Sequence, residues 1–364
     1  MEVNRDYAVA VTKSSVVHLS LNLPEVTISS EISLSLSTEK PSIPSIVGVS
    51  SDLKRLCIYY DNKNVFGFEI SEELSQLFFH TLPKKPSKII FVDSSAIVID
   101  KAGDVYVISG SESKLLLGHT SILFDVCFTK DNKYILTADR DEKIRVSHFP
   151  NSYNIHGFCL GHREFVTSLV MLSEEHDVFA SGSGDGTVKI WNIKSCKCLF
   201  TIDCSQIVEK SSEKVVIKSL LVTGGMLLIV SENPNALLLY SCEVTDKSAQ
   251  AQLLCHSEIP SKVAKVLKTT DSVLLLTLHA EKPLLQYKYI DGKLEECELV
   301  LQSDLVPRLR ETAQMVYKDF SEFYHKRIDN EGEYKLRKDE RLGQKRKECQ
   351  NSESESDAKV FRLS

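Results

Sequence analysis

One short stretch of the sequence contains the three residue types that could build a hydrolytic centre. His162, Ser181 and Asp185 are the histidine, serine and aspartate that hydrolases combine for nucleophilic catalysis. In such enzymes the serine attacks, the histidine takes its proton, and the aspartate orients the ring. We favour a structural role, because a tryptophan follows at Trp191 and the spacing of the whole set belongs to a repeated unit.

That unit begins twice with the dipeptide Gly-His. Gly118-His119 opens the first copy and Gly161-His162 opens the second, 43 residues later. This period lies within the roughly 40–45 residues expected of a WD repeat. The second copy ends in residues 181–192 (SGSGDGTVKIWN), with Trp191-Asn192 at the position of the Trp-Asp pair. The spacing therefore indicates WD repeats.

In a WD repeat these side chains form a buried polar network. For the second copy, the predicted members are His162, Ser181, Asp185 and Trp191. For the first copy they are His119, Thr137 and Asp141. Residues 137–147 align without gaps with residues 181–191, which places Ser147 where the tryptophan would stand. Each hydrogen bond contributes about 1 kcal/mol net. We expect the first network to be the weaker because the tryptophan is missing.

The elements that carry these residues are short strands separated by turns. Hairpins are predicted near residues 7–22, 54–70, 89–109, 123–148, 166–201, 215–242 and 262–290. Many short strands joined by turns indicate a sandwich, a barrel or a propeller, and the period selects the last. We predict an all-β fold, a seven-bladed WD-repeat β-propeller over residues 1–303. We expect the N-terminal segment to pair with the last blade and so close the ring.

The character of the sequence changes after the propeller. An apolar stripe predicts an amphipathic C-terminal helix over residues 304–328, and it consists of Leu305, Leu309, Val316, Phe320 and Phe323. The composition of residues 329–364 predicts a charged, partly disordered tail. Its basic residues are Lys335, Arg337, Lys338, Arg341, Lys345, Arg346 and Lys347. They are consistent with a solvated tail, with nuclear import, or with contact to RNA phosphates.

Composition excludes several classes of function. The 364 residues carry a net charge of −6 and no apolar run of the roughly 20 residues that span a bilayer. No secretory signal is recognised, so we expect the protein in the nucleus and also in the cytoplasm. The ten cysteines lack metal-ligand spacing and are expected to be free thiols. Nucleotide-binding loops and hydrolase motifs are absent, so we expect no catalytic centre, cofactor or metal in this chain.

Two loops of the signature repeats are candidates for binding a partner. Arg140 and Lys143 occupy a turn where the next repeat has small residues. Arg163, Glu164 and Phe165 follow the second Gly-His dipeptide, and an arginine beside an aromatic residue is typical of an interface anchor. The alternative interpretation is an ordinary charged turn.

Several stretches resemble one family. Residues 136–147 (LTADRDEKIRVS) and 158–166 (FCLGHREFV), with 100–106 and 342–347, are similar to the non-catalytic WD-repeat subunit of tRNA (guanine-N(7)-)-methyltransferase. The resemblance implies a heterodimer with a catalytic subunit that carries S-adenosylmethionine and forms 7-methylguanosine in the tRNA variable loop. It implies that this chain stabilises the catalytic subunit and helps position tRNA, with Arg163 paired to a carboxylate of that partner.

Two other classes of function remain open at this point. A generic WD-repeat adaptor of another nuclear complex, such as a ubiquitin ligase, would not co-purify with a methyltransferase. A propeller enzyme would need polar residues that converge on the central channel, which the sequence alone does not locate.

Overall fold

The strands form seven antiparallel sheets that are arranged as the blades of a propeller. The computed structural model describes residues 2–3, 7–12, 14–34, 44–60, 62–205 and 214–324. Its sheets follow one another along the chain, and each predicted hairpin falls on strands of one blade. The predicted seven-bladed propeller is therefore confirmed.

The first three blades come from the N-terminal third of the chain. Blade 1 contains β1 to β4, which span Glu2–Val3, Tyr7–Val11, Ser15–Asn22 and Glu25–Ser33. Blade 2 contains β5 to β8, which span Pro44–Val49, Arg55–Tyr60, Asn64–Ile70 and Leu74–Thr81. Blade 3 contains β9 to β12, which span Pro86–Val92, Ser95–Asp100, Asp104–Ser109 and Glu112–Gly118.

The two signature repeats form blades 4 and 5. Blade 4 contains β13 to β16, which span Leu123–Phe128, Tyr134–Asp139, Lys143–His148 and Ile155–Leu160. Blade 5 contains β17 to β20, which span Val166–Ser173, Val178–Ser183, Thr187–Asn192 and Lys197–Asp203. Blade 6 contains β21 to β24, which span Val216–Thr223, Met226–Glu232, Ala236–Val244 and Ala249–Glu258. Blade 7 contains β25 to β28, which span Val263–Lys268, Val273–Thr277, Leu284–Ile290 and Lys293–Cys297.

The core lies between neighbouring blades, so the middle strands are buried on both faces. In β10 the side chains of Ala96 and Val98 pack towards blade 2, whereas Ile97 and Ile99 pack towards blade 4. Successive residues of a strand point to opposite faces, which explains why this strand is apolar throughout. Burial of each large aliphatic side chain contributes roughly 1.5–3 kcal/mol.

The ring closes differently from our prediction. Residues Val300–Leu301 form β29, which adds to the outer edge of β4 in parallel, with Val300 opposite Glu25 and Leu301 opposite Val26. The expectation that the N-terminal segment would pair with the last blade is therefore wrong. Blade 7 already has four strands of its own, whereas the outer edge of β4 is open until β29 covers it.

The described part of the chain contains one α-helix, α1, which spans Leu305–Val316 and packs beside the inner strands of blades 2 and 7. Its buried face includes Leu305, Leu309 and Ala313, and the Thr312 hydroxyl donates to the carbonyl of Val11 over 3.1 Å. The predicted helix over residues 304–328 begins as expected but is too long. The chain is extended at Tyr317, and a short 3-10 turn follows at Ser321–Phe323.

The basic residues from Lys335 to Lys347 lie outside the described residues. Within the described ranges, no helix has the length and apolar character that a membrane crossing requires.

Candidate partner-binding surface

A continuous chain of hydrogen bonds joins the four predicted network residues of blade 5. The Trp191 indole N–H donates to Ser181 Oγ over 2.7 Å, and Ser181 Oγ lies 2.7 Å from His162 Nε2. His162 Nδ1 lies 3.1 Å from Asp185 Oδ2. A neutral ring with its proton on Nδ1 satisfies every bond, because it accepts from the serine and donates to the carboxylate.

These bonds have the order of a hydrolytic triad, but the serine cannot meet a substrate. Ser181 is fully buried and its oxygen already accepts from Trp191. Burial alone would raise the pKa of the Asp185 carboxyl, but hydrogen bonds from His162, Thr187 and the backbone N–H of Arg163 hold it well below its usual range. The hydrogen-bonded network of blade 5 therefore joins the loop before β17 to the turn between β18 and β19.

Blade 4 builds its network from a different aspartate than the alignment predicts. His119 Nε2 lies 2.8 Å from Thr137 Oγ1, as expected, but its Nδ1 lies 3.5 Å from the buried carboxylate of Asp139. Asp141, the predicted member, pairs instead with Arg140 Nε at 3.2 Å. The prediction for Asp141 is wrong because this residue is at the tip of the turn, whereas Asp139 ends β14 and lies next to the histidine.

A buried arginine, which the sequence argument did not identify, compensates for the missing tryptophan. The Arg145 guanidinium donates to Ser147 Oγ at 2.9 Å, to the Gly118 carbonyl at 3.1 Å and to the Ser152 carbonyl at 3.0 Å. Burial lowers the pKa of this guanidinium. The available signal was the alternation of β15, since residues 145 and 147 lie on one face of the strand.

Phe165 is not the exposed anchor that we predicted. Its ring is fully buried, and it stacks on Phe320 with ring centroids 5.7 Å apart and planes 12° apart. Phe124 contacts both rings edge-on, at 6.0 and 5.4 Å, and Phe323 lies 4.8 Å from Phe124. We call Phe124, Phe165, Phe320 and Phe323 the phenylalanine cluster. It is the chain's own C-terminal segment, therefore, that covers Phe165.

The cluster also explains a glycine in the neighbouring turn. A Cβ atom at Gly184 would lie 2.4 Å from the Phe165 ring, much closer than van der Waals contact allows. The small residues of this turn are therefore needed for packing. They do not show that the larger residues of the blade 4 turn serve a partner.

The other predicted partner-binding residues occupy the rim of blades 4 and 5. Arg163 is exposed, and its backbone N–H donates to Asp185 Oδ2 over 2.9 Å. Glu164 is buried and pairs with Lys214 at 3.1 Å, so an intramolecular contact engages it. Arg140 and Lys143 are half-buried, and Lys143 Nζ donates to the carbonyl of Asp141 at 3.2 Å.

Apolar side chains extend this rim along the outer strand of blade 4. Leu160 is 63% exposed and Phe158 is 44% exposed, although both lie in the regular strand β16. In the ladder Leu160 is opposite Lys143, so their side chains share one face. We call Arg140, Lys143, Phe158, Leu160 and Arg163 the rim surface. The two apolar members were missed by sequence reasoning, because the hairpin predicted for this blade ended at residue 148, before β16 begins.

The fold and the buried His–Ser–Trp–Asp set define a WD-repeat β-propeller whose exposed features are rigid loop and edge surfaces. The family model of the tRNA methyltransferase TRM82 WD40 domain matches residues 109–286. A relative from Drosophila mojavensis, the tRNA (guanine-N(7)-)-methyltransferase non-catalytic subunit wuho, is 33% identical over 68% of this chain and 67% of its own length. The chain belongs to this family of non-catalytic subunits.

Shorter and stronger similarities support the same family. The wdr4 non-catalytic subunit of Danio rerio is 52% identical over 110 residues, 29% of this chain and 27% of that relative. The wdr4 subunit of Dictyostelium discoideum is 43% identical over 133 residues, 30% of this chain and 28% of that relative.

Solved structures with lower identity show the fold alone. A chain of the mitotic checkpoint complex has a TM-score of 0.61 at 14% identity, and the match covers 78% of this chain and 88% of that one. The WD40 repeats of RRP9 have a TM-score of 0.60 at 17% identity, with 75% and 84% covered.

Proposed function

We propose that this chain is the scaffold of a heterodimer whose other subunit is the catalytic tRNA (guanine-N(7)-)-methyltransferase. The catalytic residues and S-adenosylmethionine belong to that partner, which forms 7-methylguanosine in tRNA. The printed names of the relatives support the assignment, since they describe non-catalytic subunits of that methyltransferase. The observation in this chain that carries the proposal is the rim surface.

The rim surface has the composition of a binding site. Exposed Phe158 and Leu160 lie on the outer strand of blade 4, Leu160 is opposite Lys143, and exposed Arg163 follows in the next loop. Aromatic residues and arginine are enriched at the centre of protein interfaces. A complementary partner surface would present apolar side chains with carboxylates beside them. The partner therefore docks side-on, against the outer edge of the signature blades.

The buried network of blade 5 gives this surface a fixed shape. Asp185 accepts both the His162 ring N–H and the Arg163 backbone N–H, so the loop that carries Arg163 is tied to the blade. A preordered loop loses little conformational entropy on binding, which improves affinity. In this way a structural network supports the binding of the partner.

The basic residues 335–347 supply the second part of the proposal. Their lysines and arginines contact the phosphates of the tRNA that the partner methylates, which makes tRNA binding sensitive to salt. The negative net charge of the whole chain supports a local contact of this kind rather than a general affinity for nucleic acid.

Two substitutions that place a negative charge on the rim surface test the docking of the partner. The full chain is co-expressed with the catalytic subunit, and complex formation and 7-methylguanosine in tRNA are measured for Arg163→Glu and Leu160→Asp. Loss of an interfacial charge pair costs roughly 2 kcal/mol or more, about a thirty-fold loss of affinity. Both variants should weaken association and lower activity in proportion.

Lys293→Glu is the matched control, because Lys293 is an exposed lysine on the outer strand of blade 7. It should leave association and methylation unchanged. If the wild-type pair associates and the two rim variants associate equally well, the rim surface is not the interface. If the wild-type pair does not associate at all, the scaffold proposal itself fails.

A further inference from the structure

The propeller encloses a central cavity of about 630 Å³. The inner strands of blades 2 to 7 line it, and on the remaining side the lining comes from residues 315–320 and Phe323. Among the described residues, none of blade 1 lines the cavity. The volume is within the roughly 300–1,000 Å³ of pockets that hold small ligands.

Lysines dominate the charged lining of this cavity. They are Lys85, Lys88, Lys101, Lys218, Lys265 and Lys318. The carboxylates of the lining are Asp125 and Asp319, and Glu232 lies behind the lining in contact with Lys218. Six cations therefore stand against three carboxylates, so the cavity has an excess of positive charge.

Two ion pairs neutralise part of the lysine charge inside the cavity. Lys88 pairs with Asp125, and Lys218 pairs with Glu232. Lys218 also donates to the carbonyl of Lys318 over 2.9 Å and lies 3.7 Å from the centre of the Tyr317 ring. Within the described ranges, the ammonium of Lys318 has no ion-pair partner.

The pKa values of Lys318 and Lys218 are both lower than that of a free lysine. Burial and the ammonium group of Lys88 lower the pKa of Lys318 to about 8, and burial lowers the pKa of Lys218 to about 8. Lys318 is half-buried, and a bound anion would stabilise a half-buried ammonium group that has no ion-pair partner.

From the lysine-rich lining of the cavity and the unpaired ammonium of Lys318, we propose that the central cavity binds a small anion with two or more phosphoryl groups. Lys318 and Lys101 contact it, while Lys88 and Lys218 keep their carboxylate partners and add to the positive potential. The C-terminal segment, residues 317–323, then has a role in binding as well as in packing. This site is separate from the rim surface and does not depend on the identity of the partner protein.

Titration of the full chain with pyrophosphate tests the proposal. Binding is measured by calorimetry at pH 7 and constant ionic strength, with chloride as the balancing anion. We expect saturable binding of one pyrophosphate, and at least a tenfold loss of affinity in Lys318→Met. Methionine has a similar length and removes an unpaired charge, so this variant should fold at least as stably as the wild type.

Two further variants make the result decisive. Lys101→Met, at a lysine of the lining, should weaken pyrophosphate binding, whereas Lys54→Met, at an exposed lysine outside the lining, should not. Absence of saturable binding, or equal affinity in Lys318→Met, would overturn the proposal. A short single-stranded RNA that binds in a Lys318-dependent way where pyrophosphate does not would assign the cavity to RNA instead.

Discussion

At the scale of single residues, the two signature blades build their buried polar networks from different side chains. Blade 5 connects its loops through His162, Ser181 and Trp191, whereas blade 4 has Ser147 at the tryptophan position and fills its polar interior with Arg145. In both blades a histidine from the preceding loop meets a hydroxyl of the second strand. The hydroxyl and the histidine were predictable from spacing, but the choice of carboxylate was not.

The role of Asp139, and not Asp141, in blade 4 leads to a prediction about two single substitutions. Asp139→Ala should lower the free energy of unfolding by about 1–3 kcal/mol, because it removes the buried acceptor of the Lys143 backbone N–H and the neighbour of His119. Asp141→Ala should change it by less than about 0.5 kcal/mol, since its ion pair with Arg140 is partly exposed to solvent. Urea unfolding of both variants measures the difference. A larger loss of unfolding free energy for Asp141→Ala than for Asp139→Ala would show that Asp141 is the network carboxylate, as the sequence alignment predicts.

At the scale of elements, the C-terminal segment is part of the propeller. Helix α1 fills the inner side of blade 1, and the residues after it carry Phe320 and Phe323 to blades 4 and 5. The helix stops at Val316 although the apolar stripe continues. Asp319 accepts the backbone N–H of Ser321, which competes with helical hydrogen bonds, and the phenylalanine cluster buries Phe320 and partly buries Phe323.

Removing one ring of the cluster should loosen this segment. Phe320→Ala should cost about 3–5 kcal/mol in the free energy of unfolding, the usual range for a buried phenylalanine, and should raise hydrogen exchange over residues 317–323. Phe158→Ala serves as the control, because that residue is 44% exposed and its loss should cost much less than the loss of Phe320. Equal losses in the two variants would show that the cluster does not hold the segment.

The elements also show which parts of the fold local sequence can predict. Hairpins such as β13 and β14 follow from alternation and turn residues within one short segment of chain, here residues 123–139. The end of α1, the closure by β29 and the burial of Phe165 depend on contacts between residues far apart in sequence. Phe165 meets Phe320, and Val26 meets Leu301. The local hydrophobic periodicity of the sequence contains no information about such long-range contacts, so they were predicted wrongly or not at all.

At the scale of the whole molecule, charge is unevenly distributed. The chain carries a net charge of −6, yet lysines dominate the central cavity, and residues 335–347 contain seven basic residues against Asp339 and Glu340. Uneven charge of this kind limits contact with a polyanion to particular places. The size of the cavity suits a small anion, whereas the proposed ligand of the basic run is an RNA backbone.

The salt dependence of tRNA binding separates this role from the alternatives. For the complex with the methyltransferase, the slope of log K against log salt should become shallower by several units when residues 335–364 are deleted, because each lost phosphate contact removes roughly 0.7–0.9. Deletion of residues 348–364 alone keeps all seven basic residues and should leave the slope unchanged. If both deletions give the wild-type slope, the basic run does not touch tRNA, and nuclear import becomes the role to test.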